Sequence, residues 1–224
     1  MKQSILFIIF ICCLVFTGCE YDNYDEPKST LSGKVVYDGS PVGVRATGIE
    51  LELWQDGFDK RLSIPIYVAH DGSYSVALFN GEYKLVRKAG APWEAQLTDT
   101  TIVKVSGNTT FDVPVKPYFV VNKESFQKET NAISAKFTIN KIVESANIAE
   151  VRVYVSKYIL TDQNKHEHAV NADVSSIVMG QETNMRVDLP ENLTKEKELF
   201  VRVGVRSNLS NEFYYTQVQK VTLN

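Results

Sequence analysis

From Thr30 almost to its end the chain is written in short runs whose apolar residues fall on every second position, and nowhere do they recur at the helical spacing. Successive side chains of a strand point to opposite faces, so each such run can bury one face only, against another sheet. Asp38-Gly39, Asp56-Gly57, Asp71-Gly72 and Asn80-Gly81 punctuate the runs with residues that tolerate the left-handed backbone of tight hairpins. Leu31, Gly33 and Val35 share one face. Ile49, Leu51 and Leu53 share another, with Glu50, Glu52 and Trp54 opposite. Tyr74, Val76 and Leu78 alternate with Ser73, Ser75 and Ala77, and Tyr83 and Leu85 follow the Asn80-Gly81 turn. Runs over 102–105 and 109–115 complete the set. The spacing predicts an all-β chain built as β-sandwiches.

Val113-Pro114-Val115-Lys116-Pro117 interrupts the pattern with two prolines, which stiffen the chain and cannot continue a central strand. We place a domain boundary there, giving two independent folding units over 30–116 and 117–224. In the second, Ile133, Ala135, Phe137 and Ile139 form one inward face; Val151, Val153 and Val155 form another; Leu199, Val201, Val203 and Val205 form a third. Phe213 to Leu223 reads as a last strand with a bulge where apolar parity shifts between Tyr215 and Val218.

Ahead of both stands a different segment. Lys2, the uncharged apolar run Ile5 to Phe16 and the ending Thr17-Gly18-Cys19 have the form of a lipoprotein signal peptide over 1–18. The run is too short to span a membrane. Cys19 is then the first mature residue and carries lipid, so the membrane is a partner through that lipid. Residues 19–29, with Glu20, Asp22, Asp25 and Glu26, read as an acidic tether. Cys12 and Cys13 leave with the signal, so no disulfide can form and packing must supply the stability. Net charge is −3 with no basic block, which argues against nucleic acid.

Leu31-Ser32-Gly33-Lys34-Val35-Val36, the turn at 39–41 and Asp71-Gly72-Ser73-Tyr74 leading to Gly81-Glu82-Tyr83-Lys84-Leu85 resemble the carboxypeptidase-regulatory, transthyretin-like module. The Leu199-Phe200-Val201-Arg202-Val203-Gly204-Val205 strand resembles a fibronectin type III-like sandwich. With Tyr21-Asp22-Asn23-Tyr24-Asp25-Glu26-Pro27 behind the lipid cysteine, the whole resembles a Bacteroidetes lipoprotein family, a domain of unknown function, associated with SusC/SusD-type polysaccharide utilisation loci. That resemblance implies an outer-membrane, lipid-anchored protein facing the cell exterior. It supplies no catalytic residue.

The chain carries no nucleophile elbow, zinc-protease helix, phosphate loop or usable thiol, so a non-catalytic role is expected and no cofactor. His166 and His168 lie on one side of an extended segment but lack a third ligand at recognisable spacing, and Asp162-Gln163-Asn164-Lys165 reads as an exposed hairpin tip. Aromatics are the better lead, because sugar rings present C–H faces that stack on Trp and Tyr. Trp54 shares a strand face with Glu50 and Glu52, and Trp93 lies in the loop Gly90-Ala91-Pro92-Trp93-Glu94. Tyr154 and Tyr158 share a face with Arg152, and Arg202 falls on the neighbouring strand. These residues make up the expected ligand-binding set; for each aromatic, packing within the sandwich is the competing role. Three functions are open at this point: a polysaccharide- or oligosaccharide-binding component of an uptake system, a structural spacer or interaction subunit contacting a SusC/SusD-like complex, and, third, a hydrolase.

Overall fold

The structure, a computed structural model, describes residues 25–57, 60 and 62–223, the side chains of residues 50 and 97–99 excepted. Strands β1 (Ser29–Tyr37), β2 (Ser40–Pro41), β3 (Ile49–Trp54), β4 (Ile64–Val68), β5 (Ser73–Leu78), β6 (Gly81–Arg87), β7 (Gln96–Val105), β8 (Asn108–Thr110) and β9 (Val113–Pro114) form the first sandwich. One sheet is centred on β1, which pairs antiparallel with β2 and β5 and parallel with β8 and β9; the other runs β4-β3-β6-β7. Leu31, Val35, Leu51, Leu53, Tyr83 and Leu85 meet between them, each at most 2% exposed. Fully burying such side chains contributes on the order of 1.5–3 kcal/mol apiece, which is what the alternation secures. Asp38 and Gly39 both adopt positive φ, 49° and 74°, in the two-residue turn that pairs Tyr37 with Ser40.

Strands β10 (Phe119–Glu129), β11 (Ala132–Lys141), β12 (Ile148–Ser156), β13 (His168–Asn171), β14 (Glu182–Asp188), β15 (Glu198–Ser207), β16 (Phe213–Tyr215) and β17 (Gln219–Thr222) form the second. The sheet β10-β11-β14 packs on the sheet β13-β12-β15, whose far edge is completed by β16 and β17. With β16 and β17 sharing one edge of β15 in succession, this three-on-five division is fibronectin type III-like. Ile133, Phe137, Val151, Val153, Leu199 and Val203 are completely buried between the sheets. One short turn of α-helix, Glu191–Thr194, and a 3-10 turn, Val174–Ser176, interrupt the β pattern.

Three local expectations are corrected. Of the four turn pairs only Asp38-Gly39 closes a hairpin: β3 and β4, on either side of Asp56-Gly57, are joined by a longer connection beginning at Gln55, while Asp71-Gly72 and Asn80-Gly81 carry the chain from one sheet to the other, β4 to β5 and β5 to β6. The run over 109–115 divides into β8 and β9 around Phe111-Asp112, where the Tyr74 hydroxyl reaches the Phe111 carbonyl and the Asp112 carboxylate accepts from the Lys34 backbone N–H. The last strand divides into β16 and β17, with the break at the parity shift; both pair with β15.

Candidate functional site

The expected site residues are not brought together. Trp54 and Glu52 share the outer face of β3, half-buried, with Trp54 Nε1 donating to Glu52 Oε2 at 3.3 Å and Lys88 Nζ 3.3 Å from Glu52 Oε1. Glu50 pairs through its backbone with Tyr67, but its side chain lies outside the described residues, as does Cys19. Tyr158 is 69% exposed. Arg152 is half-buried, held by Glu150 and by Asn171 Oδ1 at 2.7 Å.

Trp93, Tyr154 and Arg202 are corrections. Trp93 is 1% exposed and belongs to the first core. Its loop folds back because the backbone pairs with the inter-domain segment: Trp93 bridges Pro117, and Glu94 N–H donates to the Lys116 carbonyl at 3.0 Å. Tyr154 and Arg202 do lie opposite one another on β12 and β15, yet both are completely buried. Beside them on this face lie the Phe213 and Tyr215 rings of β16, and Val44 of the first sandwich and the loop 161–166 close over it.

That junction is built largely from polar groups. Gly43 of the first sandwich bridges Tyr215 of the second, whose N–H donates to the Gly43 carbonyl at 3.0 Å. A side chain at 43 would place its Cβ 2.5 Å from the Tyr215 carbonyl oxygen, so only glycine admits this approach. Arg202 lies 3.8 Å over the Tyr215 ring and donates to the carbonyls of Val44 at 3.1 Å and Thr161 at 3.2 Å. Burial pushes its guanidinium down to about 10, against the pull of Tyr215 and Asp162. Asp162, read as part of an exposed hairpin tip, is 1% exposed: its carboxylate accepts from Asn164, Lys165 and, across the junction, Ala46 N–H. Arg45 Nε pairs with Glu212 at 2.7 Å. His166 stacks edge-on to Tyr154, 5.4 Å between centroids. Among the described residues no group of three metal-ligating side chains gathers around the histidines.

Beside this seal the sandwiches part to leave a cleft of about 440 Å³. Tyr37, Asp38 and Pro41 enter it from the β1–β2 hairpin, Asn122 and Glu124 from β10, Tyr214 and Gln217 from β16 and the segment after it. The β10 side is shaped by a bulge: its register with β11 shifts between Asn122 and Ser125, and Lys123 takes φ of 54°. Left-handed residues thus shape both sides, Asp38 in the lining itself and Lys123 in the bulge behind Asn122 and Glu124. Tyr214 packs against both cores, and burial, then the nearby Glu124 carboxylate, push its hydroxyl up to about 12. Burial likewise raises the Glu124 carboxyl above its ordinary value. Gln217 Nε2 donates to the Pro41 and Asp71 carbonyls, both at 3.3 Å. Two tyrosine rings flanked by carboxylates and amides can stack a sugar face and accept from its hydroxyls. The sequence reading missed this cleft; its one trace was Phe119-Val120-Val121 running into Asn122-Lys123-Glu124, where alternation fails.

The family model described as the DUF3823 N-terminal domain, protein of unknown function, matches residues 29–116, and DUF3823_C, a domain of unknown function, matches 119–220. A DUF3823 family protein from Bacteroides ovatus is 47% identical, with TM-score 0.84 over 88% of this chain and 100% of that one. Another from Parabacteroides merdae is 33% identical, with TM-score 0.81 over the same shares. A Bacteroides uniformis protein described as "a putative carbohydrate binding protein" shares the fold at 19% identity and TM-score 0.72, again over 88% and 100%. No curated protein matches.

Proposed function

The chain belongs to the DUF3823 family, and on that premise we propose that it is a non-catalytic cell-surface lipoprotein that binds glycan in the cleft between its sandwiches. The observation that carries this reading is the convergence of Tyr37, Tyr214, Asn122 and Glu124 on one open cleft. The carbohydrate-binding description of the Bacteroides uniformis neighbour points the same way. Anchorage by lipid on Cys19 and an outward-facing place in the outer membrane belong to the same proposal; labelled fatty acid should enter the wild-type chain and not Cys19→Ala. Stacking contributes on the order of 1 kcal/mol per ring, so a site affinity of roughly micromolar to millimolar is expected, with avidity on a polymer adding retention. Affinity gels loaded with polysaccharides test it. Tyr37→Ala and Asn122→Ala should each weaken retention, the exposed Asn122 at unchanged melting temperature and the half-buried Tyr37, which packs on the first core, with some loss of it; retention of both variants equal to wild type would remove the cleft from the argument.

A second reading, an interaction subunit of a SusC/SusD-like uptake complex, is favoured by one feature. Tyr158, Ile159 and Leu160 form a loop of consecutive apolar side chains, 69%, 51% and 40% exposed. Such a tip fits a protein surface better than a sugar. Ile159→Ser should then abolish co-purification with the complex and leave glycan retention intact.

A further inference from the structure

The cleft holds a second kind of information, in the sign of its charges. Its ionisable side chains apart from tyrosine are Asp38 and Glu124, both acidic. No lysine, arginine or histidine lines it; Lys123, between Asn122 and Glu124, is exposed and is not among the lining residues. We infer that the cleft selects uncharged sugars and rejects uronates and sulfated sugars. This rests on the reading of the cleft as a glycan site.

Recognition of an anionic sugar needs fixed positive charge or a cluster of committed donors, and arginine and lysine are the residues that supply it. The amide nitrogen of Gln217 is already engaged by the Pro41 and Asp71 carbonyls, so it is not such a donor. Carboxylates, by contrast, only accept, and sugar hydroxyls donate. Glu124 is half-buried, where a charge is screened less than in water, and burial already disfavours its ionised form. A second anion beside it would be disfavoured further, whereas a hydroxyl can donate to it alongside the Gln219 amide. Asp38 guards the opposite wall, at the tip of the β1–β2 hairpin. A cleft of about 440 Å³ lies at the lower end of small-molecule sites, room for a short sugar segment rather than a long chain.

The experiment compares matched pairs on the full chain: galactan with polygalacturonate, and mannan with alginate, in affinity gels at low and high salt. Retention by the neutral member should exceed that by the uronate about tenfold or more, given the cost of apposing like charges. Added salt should narrow the gap by screening. Glu124→Gln and Asp38→Asn, both near-isosteric, should bring the two members of each pair closer by raising retention of the uronate. Equal or tighter retention of the uronates by wild type would overturn the inference and leave the glycan reading standing. Retention of no polysaccharide of either kind would overturn both. Neutral binding insensitive to both Tyr37→Ala and Asn122→Ala would move the site elsewhere, overturning the inference and the cleft as the site while leaving glycan binding itself standing.

Discussion

Strand β16 separates two regions that look alike in composition and differ in use. Tyr215 is buried with Arg202 over its ring, while half-buried Tyr214, one residue away, packs against both cores and lines the cleft. On the junction side a tyrosine, an arginine and a carboxylate are sealed: Tyr215 carries Arg202 on its ring, its hydroxyl accepts from Gln163 N–H at 2.9 Å, and Asp162 bonds across to Ala46. On the cleft side tyrosines, carboxylates and an amide stand around open space. An aromatic beside a charge therefore does not mark a binding surface. What marks one is whether its polar atoms reach open space: the Tyr154 hydroxyl and Arg202 Nε lack a partner too, yet both are completely buried.

The sharpest break in that comparison comes from residues on the sealed side. Trp93→Ala should cost about 3–5 kcal/mol in urea denaturation, as large aromatic truncations in cores do, while folded molecules keep their glycan retention. Arg202→Ala should cost about 3 kcal/mol, because it strips the donors from the buried Val44 and Thr161 carbonyls. Arg202→Met keeps the volume over Tyr215 and should recover part of that loss. Gly43→Ala forces its Cβ against the Tyr215 carbonyl and should cost about 1–3 kcal/mol, the range for overpacking. On the open side the order reverses: Asn122→Ala, at an exposed side chain, should change stability by less than about 1 kcal/mol, as surface truncations do, and yet weaken glycan retention.

The smallest effect is a pH dependence. The Glu124 carboxyl is raised in the folded protein, so between its ordinary value and the raised one the folded state binds more proton than the unfolded state. Its contribution therefore declines as pH rises through that window. Glu124→Gln should remove the decline, leaving the variant more stable than wild type above the window and not below it. Melting curves on both sides of the window check the sign, and a wild type that instead gains on the variant as pH rises would break the assignment.

Much of this fold was legible because alternation reports burial directly. Leu51 and Leu53 are buried and Glu52 and Trp54 turn outward, as period two requires. The Asp38-Gly39 turn was legible because few residue pairs accept two positive φ angles in succession. Strand β14 was not: its exposure alternates, but of the inward residues Thr183, Met185 and Val187 only Val187 is fully buried and Thr183 is polar, which leaves too short an apolar signal. The junction was hidden for a related reason. Tyr154 and Arg202 lie on the outer face of a sheet, and a face covered by another domain carries the same alternation as one facing water. The cleft depends on a bulge and on how two units dock, neither of which a local pattern records.

The first strand also has a mechanical meaning. β1 starts at Ser29, where the chain enters the fold from the proposed anchor, and ends at Tyr37 on the cleft wall, nine residues or about 30 Å away at the usual rise of a strand. A polymer tugging at the cleft and a lipid holding the other end would pull along that strand. β1 is bonded along this length by β5 on one side and by β8 and β9 on the other, so the load falls as shear on many ladder bonds together rather than peeling them one by one. Resistance to such a pull is set by the rate of unfolding, not by equilibrium stability. The two parallel partners, which contribute little to the core, would then serve as the guy lines of the mast.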